Sequence, residues 1–165
     1  MEFSINRDVF LKSLSHAYGI IEKKTTLPIL SNILIEAKNS KIKITATDLD
    51  IIYSEEFAPL ELKTEGSTTT SASILYDILR KLEPNAKVEL SMHGNNQLKL
   101  IADNSKFNLL CLSSDNFPLS NEEIEQETFE IPPQKLLKLL TKTKISISND
   151  ETRHYLNGIY LHKVK

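Results

Sequence analysis

The chain repeats itself, and that limits its fold more than any other feature. Shifted by 126 residues without a gap, positions 3–35 fall on 129–161 with nine identities. These pair Phe3 with Phe129, Ile5 with Ile131, Leu11 with Leu137, Lys12 with Lys138 and Leu14 with Leu140. Ile21 with Ile147, Thr26 with Thr152, Leu30 with Leu156 and Ile33 with Ile159 complete the set. Ordinary composition gives about two such matches by chance. A structural unit is therefore expected to start again near residue 129. A complete second copy would end at roughly residue 252, whereas this sequence stops at 165. The second copy should then hold its first strand, a helix and one more strand over Asn157–Val164, and lack about two-thirds of itself. The acidic run 119–128 between the copies reads as a solvated linker.

Within the first copy the hydrophobic period changes several times. Glu2–Ile5 alternates as a strand does, and Val9, Phe10, Leu14, Ala17 and Ile21 follow at near-helical spacing. Asn32–Ala37, Lys41–Thr47 and Ile51–Phe57 read as three strands, the first two joined by a turn at Lys38, Asn39 and Ser40. Thr68–Thr70 leads into a second helix, Ser71–Leu82, which Glu83, Pro84 and Asn85 stop. Lys87–Met92, Gln97–Ala102 and Phe107–Leu112 alternate again, with Gly94, Asn95 and Asn96 as a turn. The order is strand, helix and three strands, twice. Lys41–Asp48 resembles Gln97–Asn104 at an offset of 56, as two uses of one βαβββ unit would. The fold class expected is α+β, with helices on one face of an antiparallel sheet.

Composition removes several function classes. The apolar content of 40% suits a globular core, and the longest apolar runs are too short to span a membrane. Glu2, Arg7, Asp8 and Lys12 interrupt the first 20 residues, so no signal peptide is expected. Cys111 is the single cysteine, which permits neither an internal disulfide nor a cysteine zinc cluster. Together these predict a cytoplasmic protein without cofactor or structural metal.

Few residues offer catalytic chemistry. Asp48 and Asp50 point the same way along an extended chain and could hold Mg²⁺, or they form a polar turn. A metal-dependent hydrolase using Asp48, Asp50 and Asp103 is one alternative. His16, His93, His154 and His162 are scattered and match no metal motif. Cys111 sits in an apolar strand with nothing nearby in sequence to activate it. No glycine-rich phosphate loop or nucleophile elbow is present. The chain is not expected to be an enzyme.

Charge is more informative. The net charge is only −2, yet the helical segments are net basic and the rest is net acidic. Arg7, Lys12, Lys23 and Lys24 belong to the first helix and its exit, and Arg80 and Lys81 to the second. In the third helix, 132–144, Lys135, Lys138 and Lys142 form a stripe at i, i+3 and i+7. A basic face on an acidic body suits a polyanion on one side only. A protein-interaction module without DNA binding is the other alternative.

Several motifs carry a resemblance. Thr26–Leu30 with Asn32–Leu34, Thr45–Leu49, Asp115–Pro118 and Arg153–Gly158 resemble the bacterial sliding clamp, the beta subunit of DNA polymerase III. The resemblance runs along the whole chain in order. It implies the DNA-clamp fold, with 1–118 as the N-terminal domain, 119–128 as linker and 129–165 as the incomplete start of the central domain. It implies a non-enzymatic processivity factor that encircles duplex DNA without sequence specificity and tethers the replicative polymerase. The partners implied are double-stranded DNA, the polymerase III core and the clamp loader. A homodimer ring is implied for the full-length family but not for this fragment.

Residue by residue, the resemblance places Lys24 and Arg80 at basic positions that contact DNA. It places His154 and Tyr155 at an aromatic pair near DNA, with His154 replacing the more usual Tyr. Ser73 stands where a basic residue is common. Leu156 corresponds to a residue of the cleft that accepts partner peptides. Phe107 and Leu109 correspond to the ring interface, on an edge strand that should lack its partner in this fragment.

Overall fold

The computed structural model describes residues 1–21, 26–94, 96–119, 130–150 and 152–162. The chain divides into two units, Met1–Ser120 and Asn121–Lys165.

The first unit runs β1 (Glu2–Asn6), α1 (Arg7–Tyr18), a 3-10 turn at Pro28–Ser31, β2 (Asn32–Lys38), β3 (Lys41–Thr47) and β4 (Ile52–Phe57). It continues through β5 (Glu61–Thr64), β6 (Gly66–Ser71), α2 (Ala72–Lys81), β7 (Lys87–His93), β8 (Gln97–Ala102) and β9 (Ser105–Leu112). Apart from β5, these are two successive βαβββ units, and β3 and β8 are the strands related by the shorter repeat. All pairings are antiparallel, in the order β4-β3-β2-β6-β9-β8-β7-β1-β5. Each unit's first strand completes the other unit's sheet: β1 pairs with β7, and β6 with β2. In the strand order, β4-β3-β2-β6 joins β9-β8-β7-β1-β5 where Thr69 and Thr70 of β6 face Leu112 and Cys111 of β9.

Local chemistry explains the boundaries. Asn6 caps α1 by accepting the Asp8 N–H at 2.9 Å. Asn39 and Ser40 take φ of 51° and 58°, the left-handed pair that a two-residue hairpin requires. Phe10, Leu14 and Ala17 of α1 and Ala72, Leu75 and Leu79 of α2 face one core. There they meet Ile33, Ile35, Ile42, Ile44, Val88, Leu90, Leu98 and Leu100, at alternate positions of their strands. The outer sheet face carries cross-strand ion pairs, such as Lys41–Glu56 at 2.9 Å and Lys63–Glu2 at 3.0 Å.

Two expectations change. The open edge expected along Phe107–Leu112 is narrowed: β9 pairs with β8 along its length, and on its other side β6 pairs with it only at Cys111 and Leu112. Its β6-facing side is open over its first half. The Cys111 N–H donates to Asn96 O at 2.9 Å, so in the alternating antiparallel pattern Lys106 and Asn108 aim their backbone groups at that open side.

The second correction lies in the second unit, which holds α3 (Pro133–Thr143) and 3-10 turns at Lys144–Ser146 and His154–Leu156. The helix falls where the longer repeat puts it. The expected strand Asn157–Val164 is not formed over 157–162, and Lys163 onward lies outside the described residues. Glu130 and Ile131 are not in a strand either, and Phe129 lies outside the described residues. Strands need ladder partners, and this unit offers none among the described residues. No described residue of 130–162 is buried. No helix among the described residues is long and apolar enough to cross a membrane.

Candidate nucleic-acid and partner interfaces

The side chains of α1 and α2 that turn away from the sheet form the first candidate surface. The helices pack together, with Tyr18 stacked on Tyr76 at 4.9 Å. Lys12 on α1 and Ser73, Arg80 and Lys81 on α2 are exposed. The Arg80 guanidinium lies 3.5 Å from Asp77 and 6.0 Å from the Tyr76 ring centre. Both members of the Arg80–Asp77 pair are more than half exposed, so it is weak and leaves the cation available to a phosphate. Lys12 and Lys81 make no ion pair among the described residues. Lysines 41, 63 and 87 of the sheet are instead matched to glutamates. Their bonds hold the Glu56 and Glu89 carboxyls below the usual carboxylate range and raise Lys63.

Arg7, which the sequence places among the helix cations, is turned inward. Its side chain is only 12% exposed and donates to Leu79 O at 2.6 Å and Arg80 O at 3.0 Å. Lys24 lies outside the described residues.

His154, Tyr155 and Leu156 share one 3-10 turn in the second unit. Tyr155 is 81% exposed and Leu156 39%. Asp150 organises the loop before them: its carboxylate accepts from the Thr152 N–H and hydroxyl and from Arg153, at 2.6–2.9 Å. These bonds, Thr152 foremost, hold its carboxyl below the usual range. Asn157 Nδ2 donates to Asp150 O at 3.3 Å, closing the loop.

Phe107 and Leu109 lie on one face of β9. Leu109 is buried in the core, and Phe107 is half-buried against it. Phe107 also lines a cavity of about 380 Å³ with Ile74, Asp77, Ile78 and Lys81 of α2, Leu82 just after it and Ser105, beside the open stretch of β9. Sequence reading missed Ile74, Ile78 and Leu82. Ile74, exposed on a helix whose other apolar positions are covered, is the signal that could have found them.

The carboxylates of the hydrolase alternative belong to turns. Asp48 Oδ1 accepts the N–H of Asp50 at 3.0 Å and of Ile51 at 2.7 Å. Asp103, at φ 48°, makes the β8–β9 hairpin. Among the described residues, no three His, Cys, Asp or Glu side chains are grouped to hold a metal. The Cys111 thiol is pushed up by burial, away from nucleophilic reactivity.

Comparison with known proteins adds identity to this geometry. The chain is 39% identical over 166 residues to the beta sliding clamp of Caulobacter vibrioides, covering 99% of this chain and 44% of that protein. It is 36% identical to the clamp of Buchnera aphidicola, with the same coverage. The chain thus spans less than half the length of the curated relatives it matches. It superposes on the crystal structure of a Caulobacter crescentus beta sliding clamp with a TM-score of 0.94 at 38% identity, covering 99% of this chain and 44% of that one. A Bartonella birtlesii sliding clamp bound to griselimycin gives 0.95 at 38% identity, with the same coverage. Residues 1–121 match the family model for the N-terminal domain of the DNA polymerase III beta subunit, and the chain belongs to that family.

Proposed function

We propose that the chain is part of a processivity clamp that surrounds duplex DNA without reading its sequence and tethers the replicative polymerase. One observation carries this reading. The paired helices present Lys12, Arg80 and Lys81 away from the sheet, whose lysines 41, 63 and 87 are matched to glutamates. Such cations attract phosphates and carry no base information, so retention comes from encirclement and each phosphate interaction can stay weak. Arg80 and Lys24 are the phosphate-binding residues of the first unit. His154 and Tyr155 supply an exposed aromatic surface in the second, and Leu156 contributes to a cleft for partner peptides from the polymerase III core or the clamp loader. The role is non-catalytic and cytoplasmic.

The open side of β9 supports ring closure. Unpaired backbone groups beside a cavity that holds apolar side chains are what a strand-to-strand interface uses, by β-addition with a side-chain anchor. Phe107 and Leu109 belong to that interface, with Ile74, Ile78 and Leu82. The 165-residue chain alone is expected to sediment as a monomer, and a stable closed dimer of it would break this reading.

The DNA reading is tested by titrating unrelated duplexes at several salt concentrations. Lys24→Ala with Arg80→Ala should weaken binding equally for all sequences and flatten the salt slope by about one unit or less for each cation removed. Sequence-selective weakening would refute it.

A further inference from the structure

We propose that Arg7 is a positioning residue for the DNA-facing end of α2, acting through Arg80 and not by touching the nucleic acid. The inference rests on the reading of Arg80 as a phosphate-binding residue. Three donors of Arg7 are engaged: Nε with Leu79 O at 2.6 Å, Nη2 with Arg80 O at 3.0 Å and Nη1 with Asp8 Oδ1 at 2.7 Å. The other Asp8 oxygen accepts the Asn85 N–H at 2.9 Å, just beyond the end of α2. The Arg7 N–H donates to Ala86 O at 2.9 Å. The start of α1 is thereby fastened to the end of α2 at residues 79, 80, 85 and 86.

The chemistry suits arginine alone. The last carbonyls of a helix have no partner within it, and a cation there is favoured by the helix dipole. A planar guanidinium can bond two successive carbonyls while a third N–H holds a carboxylate, and a lysine ammonium cannot reproduce that fork. The residue whose carbonyl is held is Arg80 itself, so its backbone, and with it the point from which its side chain leaves the helix, is held from behind. Without this clasp the last turn of α2 would fray, as helix ends do, and an exposed Arg80 would spread over many directions.

The test uses the 165-residue chain, a fluorescent duplex of arbitrary sequence at low salt, and amide exchange at Leu82. The Leu82 N–H donates to the same Leu79 carbonyl that Arg7 holds. Arg80→Ala should weaken binding about three- to tenfold, as removing one phosphate-binding cation does. Arg7→Lys keeps the charge and should still weaken binding by a similar factor, with faster exchange at Leu82 and unchanged exchange at Leu90. The double variant should bind no more weakly than Arg80→Ala alone. If Arg7→Lys binds like the parent while Arg80→Ala does not, the inference fails and the reading of Arg80 stands. An equal further weakening from Arg7→Lys in the Arg80→Ala background also overturns positioning, because Arg7 would then act independently. If Arg80→Ala binds like the parent, or the parent does not bind, the reading of Arg80 fails and the inference with it. Should Arg7→Lys lose Leu90 protection, Asp8→Asn, which frees one arm of the clasp, is judged by the same criteria.

Discussion

Helices α1 and α3 are the same amphipathic element in two settings. They share Leu11 with Leu137, Lys12 with Lys138 and Leu14 with Leu140 at the longer repeat. Leu14 is 0% exposed, whereas Leu140 is 38% and Leu137 66% exposed. The pattern produces a helix in both places, because spacing and propensity act locally. Only α1 has a sheet to cover its apolar face. An apolar stripe therefore specifies where a helix would pack, and the remaining strands decide whether it does.

The largest expected consequence is a gap in local stability. A helix with no buried side chain opens at almost no cost, whereas the core strands open only by global unfolding, about 5–15 kcal/mol in a typical domain. Amides of 135–143 should exchange at least about a thousandfold faster than those of β7 and β8. Equal protection in both regions, at a concentration where the chain is monomeric, would remove the contrast.

Much of this was legible in the residues. Alternating strands, helical spacing, the stop at Glu83, Pro84 and Asn85 and both repeat offsets located α1, α2, α3, β3 and β8, because each signal is local. β5 was not legible: Glu61–Thr64 has one apolar residue, Leu62, and is a strand because β1 pairs with it. β6 was visible only as a threonine run. Its buried Thr69 and Thr70 pack by donating their hydroxyls to Leu112 O and Leu110 O, partners about 40 residues away in the chain. The Asn157–Val164 expectation failed for the opposite reason, since alternation without a partner strand does not form a strand. At the candidate surface, residue type alone could not separate Arg80, which is exposed, from Arg7, which is turned inward. An arginine's charge is visible in sequence, but the carbonyls it bonds are not.

The next effect is on single leucines. Leu14→Ala should destabilise the first unit by about 2–5 kcal/mol, the cost of deleting a fully buried leucine and leaving a cavity. Leu140→Ala should leave the main unfolding transition within about 0.5 kcal/mol of the parent. Urea melts followed by circular dichroism give both values. A comparable destabilisation from Leu140→Ala would mean that α3 is covered in solution after all.

Acid separates the two helices further. Arg7, and then the Asn85 N–H, hold the Asp8 carboxyl below its ordinary value of 3.8, and the matching position in α3 is Gln134, which does not titrate. A carboxyl lowered on folding contributes its stability above the unfolded value and loses it as pH falls through the folded one. The α1–α2 clasp should therefore weaken from about pH 3.8 downward. Asp8→Asn should flatten that acid limb of the melting temperature and leave the profile above about pH 5 parallel to the parent. Unchanged acid sensitivity would show that other carboxyls with lowered pKa, such as Glu55, set it.

The smallest effect concerns the lysines shared by the two helices. Lys12 and Lys138 are both exposed, so replacing either with Ala should change stability by no more than about 0.5 kcal/mol. Their difference should appear in DNA binding. Lys12 projects from a helix held rigidly against a core, so its charge stays in one place relative to Arg80. Lys138 projects from a helix with no buried residue, so its charge is expected to be averaged over more positions in the isolated chain. Lys12→Ala should therefore reduce the salt slope by up to about one unit, and Lys138→Ala by less, with no preference among duplex sequences in either case. Equal slopes for the two variants would mean that order contributes nothing and that charge count alone governs the interaction. A larger reduction for Lys138→Ala would place the main phosphate-binding cation on α3 and reverse the ranking of the two helices.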